Sequence, residues 1–210
     1  MAIAADTMLS NRYSVADLCI TNQSLSEPNL PSDQNTLGNL EVLAGVLDEL
    51  EAVIGPFQIL SGFRTKELQI KLKEGGNPTA KTLSFHEVGR AVDIFPTTMD
   101  LATAFGLILA DENLKNKFAE ISIKESQNAL HLSVNVPGDV REPKILGLND
   151  EGTSYVRLTQ EQIQSYVEPI LAAAQEATAF VARNPVPTFA VLAGVAILAF
   201  LLMSGDKKRA

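Results

Sequence analysis

Apolar residues along this chain switch between two periods, and the switches mark its elements. Leu40, Leu43, Ala44, Leu47, Leu50 and Ile54 recur every three or four residues, which lines one face of an α-helix. Gly55-Pro56 stops that helix, because proline cannot continue the hydrogen-bond ladder. Phe57 to Phe63 follows as an expected buried strand, Thr65 to Glu74 as a helix, and Gly75 to Pro78 as a loop. Ala91 to Ile94 is an expected strand, Thr98 an expected cap for a helix reaching about Asp111, and Ala119 to Ile123 and Leu130 to Val136 two further strands. Residues 1–36 are turn-rich and are expected to form an irregular wrap with at most one short helix, ahead of a domain over 37–136. Residues 137–158, punctuated by Gly and Pro, are expected to be a loop-rich connection. Thr159 with Gln162 has capping-box spacing and opens a stalk or packing helix over 159–183 that contains Pro169. Strands and helices mix without a regular βαβ rhythm, so the expected class is α+β.

One later stretch follows neither period. Val186 to Met203 is an uncharged run of 18 residues, about 27 Å as a helix and close to the thickness of a bilayer's hydrocarbon core. It is expected to be a single transmembrane helix, followed by the basic tail 204–210. Lys207, Lys208 and Arg209 follow it whereas Arg183 alone flanks it upstream, which favours a cytoplasmic C-terminus with the domain on the opposite side. Met1 to Asn11 lacks a basic region and a continuous apolar run, so no cleaved signal peptide is expected.

Charge and cysteine content narrow the chemistry. The net charge is −8, and the basic tail makes the remainder more acidic still; nucleic acid is not an expected partner, since phosphate binding needs a basic face. Cys19 is the single cysteine, which excludes an intramolecular disulfide and a thiolate metal cluster, and its apolar surroundings suit a small buried hydrophobe.

The chain has two histidines. His86 begins His-Glu-Val-Gly-Arg-Ala-Val-Asp, ending at Asp93, and His131 lies within the apolar strand pattern Ala129 to Val134. Two imidazoles and a carboxylate form the ligand set of an open catalytic zinc site. On spacing alone, a histidine in such a strand is more often a hydrogen-bonded core residue.

Ser84-Phe85-His86-Glu87-Val88-Gly89-Arg90-Ala91-Val92-Asp93 resembles the S-x-H-x-x-G-x-A-x-D motif of the zinc D-alanyl-D-alanine carboxypeptidase family, whose fold is hedgehog-like. Ser61-Gly62-Phe63-Arg64 resembles that family's S-G-[YF]-R segment, and Phe118 to Glu125 and Leu130 to Ser133 resemble the closing segments of its phage endolysin branch. The similarity runs from about Pro28 to Val134 with the motifs in order. It implies a small antiparallel sheet with flanking helices, Zn2+ bound by His86, Asp93 and His131, and Ser84 supporting the site. It also implies that Arg64 faces the carboxylate or developing oxyanion of a peptidoglycan stem peptide.

Hydrolysis further needs a carboxylate to handle the proton. Where many family members place an acidic residue three positions before the last histidine, this chain has Asn128, and Ala129 stands where an aromatic residue is frequent. Glu125 matches the acidic position of the phage-like branch and is the expected base, with Glu87 as the alternative. The implied function is a membrane-anchored zinc peptidase of cell-wall peptides, in keeping with a phage lysis or virion-entry protein. The rival is a non-catalytic, membrane-anchored structural or wall-binding protein that keeps the fold.

Overall fold

A computed structural model describes residues 3–76, 84–149 and 151–183 of the chain. Its elements are α1 (Val15–Leu18), α2 (Gln34–Ile54), β1 (Phe57–Ser61), α3 (Lys66–Glu74), β2 (Ala91–Pro96), α4 (Leu101–Ala110), α5 (Glu112–Lys115), β3 (Phe118–Lys124), β4 (Ala129–Val134), β5 (Lys144–Leu148), β6 (Tyr155–Arg157) and α6 (Gln160–Arg183). The strands form one six-stranded sheet in the order β1-β2-β4-β3-β5-β6. The class is α+β, as expected. The sheet is mixed, however, because β5 runs parallel to β3 while the other neighbours are antiparallel.

Side-chain alternation sorts the chemistry between the two faces of the sheet. Val92, Ile94, Ile121, Ile123, Leu130, Leu132 and Ile145 join the core together with Leu43, Leu47 and Leu50 of α2 and Phe105 and Ile108 of α4. The intervening residues Asp93, His131, Ser122 and Lys124 therefore lie on the other face, in register across β2, β4 and β3. One face is an apolar bed for helices, and the other is the only place where the strands can carry polar groups.

Several boundaries differ from those read off the sequence, each for a local reason. The long helix starts at Gln34, before residue 37, because the Asp33 carboxylate accepts from the Thr36 amide. Asp100, not Thr98, caps α4, taking both the amide and the hydroxyl of Thr103. The first strand stops at Ser61 and is half-buried, being the sheet edge. Within 137–158 the structure holds β5, paired to β3, and β6, paired to β5, short strands that no local period betrays.

The capping box of α6 is formed: Gln162 accepts from the Thr159 amide at 2.8 Å, and Thr159 from the Gln162 amide at 3.2 Å. The early turns of α6 pack on α4 rather than standing off as a stalk. A Cβ on Gly106 would lie 2.4 Å from the Tyr166 carbonyl oxygen, and the Phe105 and Tyr166 rings meet edge to face at 4.9 Å. Among the described residues no helix is long and apolar enough to cross a membrane. The expected span at 186–203 and the basic tail lie outside the described residues.

The chain leaving β4 is clamped by charge. Arg90 donates twice to the Val134 carbonyl and once to Asp139 at 2.6 Å, and Arg141 donates twice to the same carboxylate at 2.7 Å. These bonds, Arg141 first and then Arg90, pull the Asp139 carboxyl down to about 2. A carboxyl depressed on folding contributes stability that is complete above its unfolded pKa, about 3.9, and fades as pH falls toward the folded value. Asp139→Asn is therefore expected to lower the unfolding temperature at neutral pH, with the gap to wild type closing as pH drops from about 4 to 2. A gap unchanged at low pH in thermal unfolding scans would contradict this.

Candidate metal centre

The site is assembled from one sheet register and one tight turn. Asp93 on β2 lies directly opposite His131 on β4, so their side chains emerge side by side on the polar face. His86 arrives from the 3₁₀ turn Phe85–Val88 that precedes β2. Ser84 caps this turn, its hydroxyl accepting from the His86 amide at 3.3 Å, and Glu87 reciprocates by accepting from the Ser84 amide at 2.9 Å. Gly89 ends the turn at φ +71°, and a Cβ there would lie 2.8 Å from the Thr36 carbonyl oxygen. That close approach explains why the segment needs glycine at this position.

His86, Asp93 and His131 are all buried, and one ligand atom from each lies within 4.8 Å of the others. His86 Nδ1 is 2.6 Å from the Gly62 carbonyl oxygen. That acceptor fixes the Nδ1–H tautomer and leaves Nε2, 3.6 Å from Asp93 Oδ2, as the inward lone pair. His131 Nδ1 is 2.9 Å from Asp93 Oδ1, and its Nε2 is 3.7 Å from Glu120 Oε1. Burial, and after it the Arg64 guanidinium, hold His86 well below the ordinary imidazole range, so it is a neutral donor as metal binding requires. Burial pushes the Asp93 carboxyl upward, but its neighbours, the Lys124 ammonium and the His131 hydrogen bond among them, outweigh it and hold the group well below the usual carboxylate range. Two imidazoles around a carboxylate can hold a metal ion, and the donor set fits one.

Two cations attend Asp93. Arg64 NH2 donates to Oδ2 at 2.9 Å, while its Nε donates to Ser61 and its NH1 to Gln69. Lys124 Nζ donates to Oδ1 at 2.8 Å and faces the Tyr155 ring at 5.8 Å. A groove of about 480 Å³ opens here, lined by Arg64, Asp93, Lys124 and Ser61 and by apolar Ile59 and Leu68.

The residues singled out in the sequence thus divide. The structure brings His86, Asp93, His131 and Arg64 together, with Ser84 capping the turn beneath His86. Arg64 uses all three guanidinium nitrogens on protein acceptors, so it braces Asp93 as well as lining the groove. Glu125 is not brought to the site: it follows the last residue of β3, and its carboxylate accepts from the Tyr166 hydroxyl at 3.0 Å on the α6 side. Glu87 is committed to the cap. Asn128 adopts a left-handed turn at φ 49°, a conformation asparagine tolerates better than an acidic or apolar residue would. Lys124 and Glu120 went unremarked in the sequence, although even-numbered positions of β3 share the face of His131. Tyr155 and Asn29 carried no local signal. Asn29 is buried and ties Cys19, Phe63 and Thr65 into the wall behind the site. Cys19 is buried, and burial pushes its thiol up to about 12, consistent with an inert packing residue.

Fold and site together define an α+β protein whose polar sheet face carries a buried His-Asp-His cluster able to hold a metal ion. Comparison with protein families, curated proteins and solved structures finds no match for the chain.

Proposed function

We propose that this protein is a zinc peptidase that hydrolyses amide bonds in peptidoglycan stem peptides, of the type that its S-x-H-x-x-G-x-A-x-D segment resembles. The observation that supports it most is the convergence of His86, Asp93 and His131 beside the groove braced by Arg64. A zinc ion there would supply Lewis-acid polarisation of the scissile carbonyl and of water. His86 and His131 would hold it through neutral nitrogens, the His86 ring steadied from behind by the Gly62 carbonyl and the Glu120 carboxylate standing 3.7 Å from His131 Nε2. The groove's apolar wall suits the alanyl side chains of a stem peptide, and its cationic floor suits a carboxylate. The uncharged run 186–203 would tether this domain to a bilayer.

A second reading, a non-catalytic wall-binding protein that keeps the fold, is favoured by one observation. The side chain of β3 that reaches the Asp93 carboxylate is a lysine, while Glu125, the expected base, turns away. Incubating the full-length protein with purified murein separates the two. A peptidase releases new amines in a chelator-sensitive way, whereas a binding protein sediments with the wall and releases none.

The reassignment of the acidic residues has its own expected result. Glu125→Gln should leave zinc affinity and any hydrolysis within about twofold of wild type, whereas Glu120→Gln should weaken zinc by about tenfold or more, the usual cost of losing a partner behind a ligand histidine. Chelator competition on both variants checks this, and the reverse ranking would restore Glu125 to the site.

A further inference from the structure

We propose that Lys124 is a built-in competitor for the metal: its ammonium holds the same Asp93 carboxylate that a divalent ion requires, so metal binding must displace it and is weakened by it. The inference rests on the metal-binding reading of His86, Asp93 and His131.

The geometry of Asp93 carries it. Oδ1 is shared between Lys124 Nζ at 2.8 Å and His131 Nδ1 at 2.9 Å, and Oδ2 receives Arg64 at 2.9 Å and lies 3.6 Å from His86 Nε2. A metal held by the two imidazoles and this carboxylate would meet cations on both oxygens. Arg64 is fixed by Ser61 and Gln69 and approaches as an outer brace. Lys124, as buried as Arg64 with its side chain 5% exposed, sets its charge on the oxygen next to His131. A compact ammonium and a divalent ion on one buried carboxylate repel strongly, because little solvent screens them.

The lysine has somewhere to go. Its flexible four-carbon stem lies along the groove of about 480 Å³, and the Tyr155 ring lies 5.8 Å from Nζ, so the charge can leave Asp93 without leaving an aromatic partner. Arg64 stays on Asp93 when Lys124 departs, so the carboxylate keeps a counter-charge in either arrangement. Lys124 thereby suits a site that stays folded and charge-balanced when metal is scarce and loads only at higher metal concentration.

The test is zinc affinity by chelator competition on the full-length chain in detergent, comparing wild type with Lys124→Met and Lys124→Gln. Both variants are expected to bind zinc at least tenfold more tightly. If wild type binds zinc and the variants bind it equally or more weakly, the competition is overturned while the metal site stands. If none of the three binds zinc, the metal reading falls and this inference with it. A measurement on the unaltered protein covers the case of poor folding. Reductive methylation read by mass spectrometry should label Lys124 severalfold more when zinc is added, and labelling that is unchanged or reduced by zinc overturns the proposal.

Discussion

Asp93→Ala is expected to abolish stoichiometric zinc and to lower folding stability by about 3–5 kcal/mol, the cost of stranding buried charge. Asp93 is the single anion to which Arg64, Lys124 and, at 2.9 Å, His131 Nδ1 all turn. The Arg64 side chain is 8% exposed and held in place by Ser61 and Gln69, so its charge is left buried without an anion once the carboxylate is gone. His86→Ala is the informative contrast. It removes a metal ligand of the same importance but deletes a neutral ring, so zinc should be lost with a smaller stability penalty. Metal content and urea unfolding of both variants measure the two effects separately. Retention of near-stoichiometric zinc in either variant would remove the metal centre, and an Asp93→Ala protein within about 1 kcal/mol of wild type would refute the charge-stranding account.

Gly62→Ala is expected to damage stability and metal binding together, although residue 62 contributes no side chain to the site. A Cβ at this position would lie 2.1 Å from the Leu18 carbonyl oxygen. That neighbour is backbone, pinned further by its 2.6 Å bond from the Phe63 amide, so it cannot rotate aside. Overpacking of this kind costs about 1–3 kcal/mol or more. Relief would move the Gly62 carbonyl, the acceptor 2.6 Å from His86 Nδ1, and loosening such an outer partner lowers metal affinity by about 10–100-fold. Thermal unfolding and chelator competition check the pair of effects. A variant with native stability and native zinc affinity would show that the 62–64 segment is free to shift and does not set the histidine.

Both expectations turn on positions whose importance was legible to different degrees. His86, Asp93 and His131 stood out because histidines are scarce here and because the segment from Ser84 to Asp93 resembles a known motif. Arg64 stood out through the segment Ser61 to Arg64. Glu125, the expected base, lies elsewhere because β3 ends at Lys124: Glu125 opens the 3₁₀ turn that follows, and its carboxylate meets the Tyr166 hydroxyl. The residue of β3 that reaches Asp93 is Lys124, on the strand's last position.

Local chemistry explains what could be read along the chain. Helix periods, the Gly55-Pro56 stop and the Thr159 capping box all act within a few residues, so sequence neighbours alone specify them. The α+β class follows from the same local elements. Strand order, the parallel joining of β5 to β3 and the half-exposure of β1 as an edge depend on partners far apart in the chain, and no short-range period encodes them. The polar partners of the site belong to this second group. Glu120, Lys124 and Tyr155 surround the triad because the register between β2, β4 and β3 and the docking of β6 place them there, and Gly62 because it follows β1, the neighbour of β2. The folded chain thus decided which cations and carboxylates the metal ligands face, since electrostatic coupling depends on distances in space and not on separation in sequence.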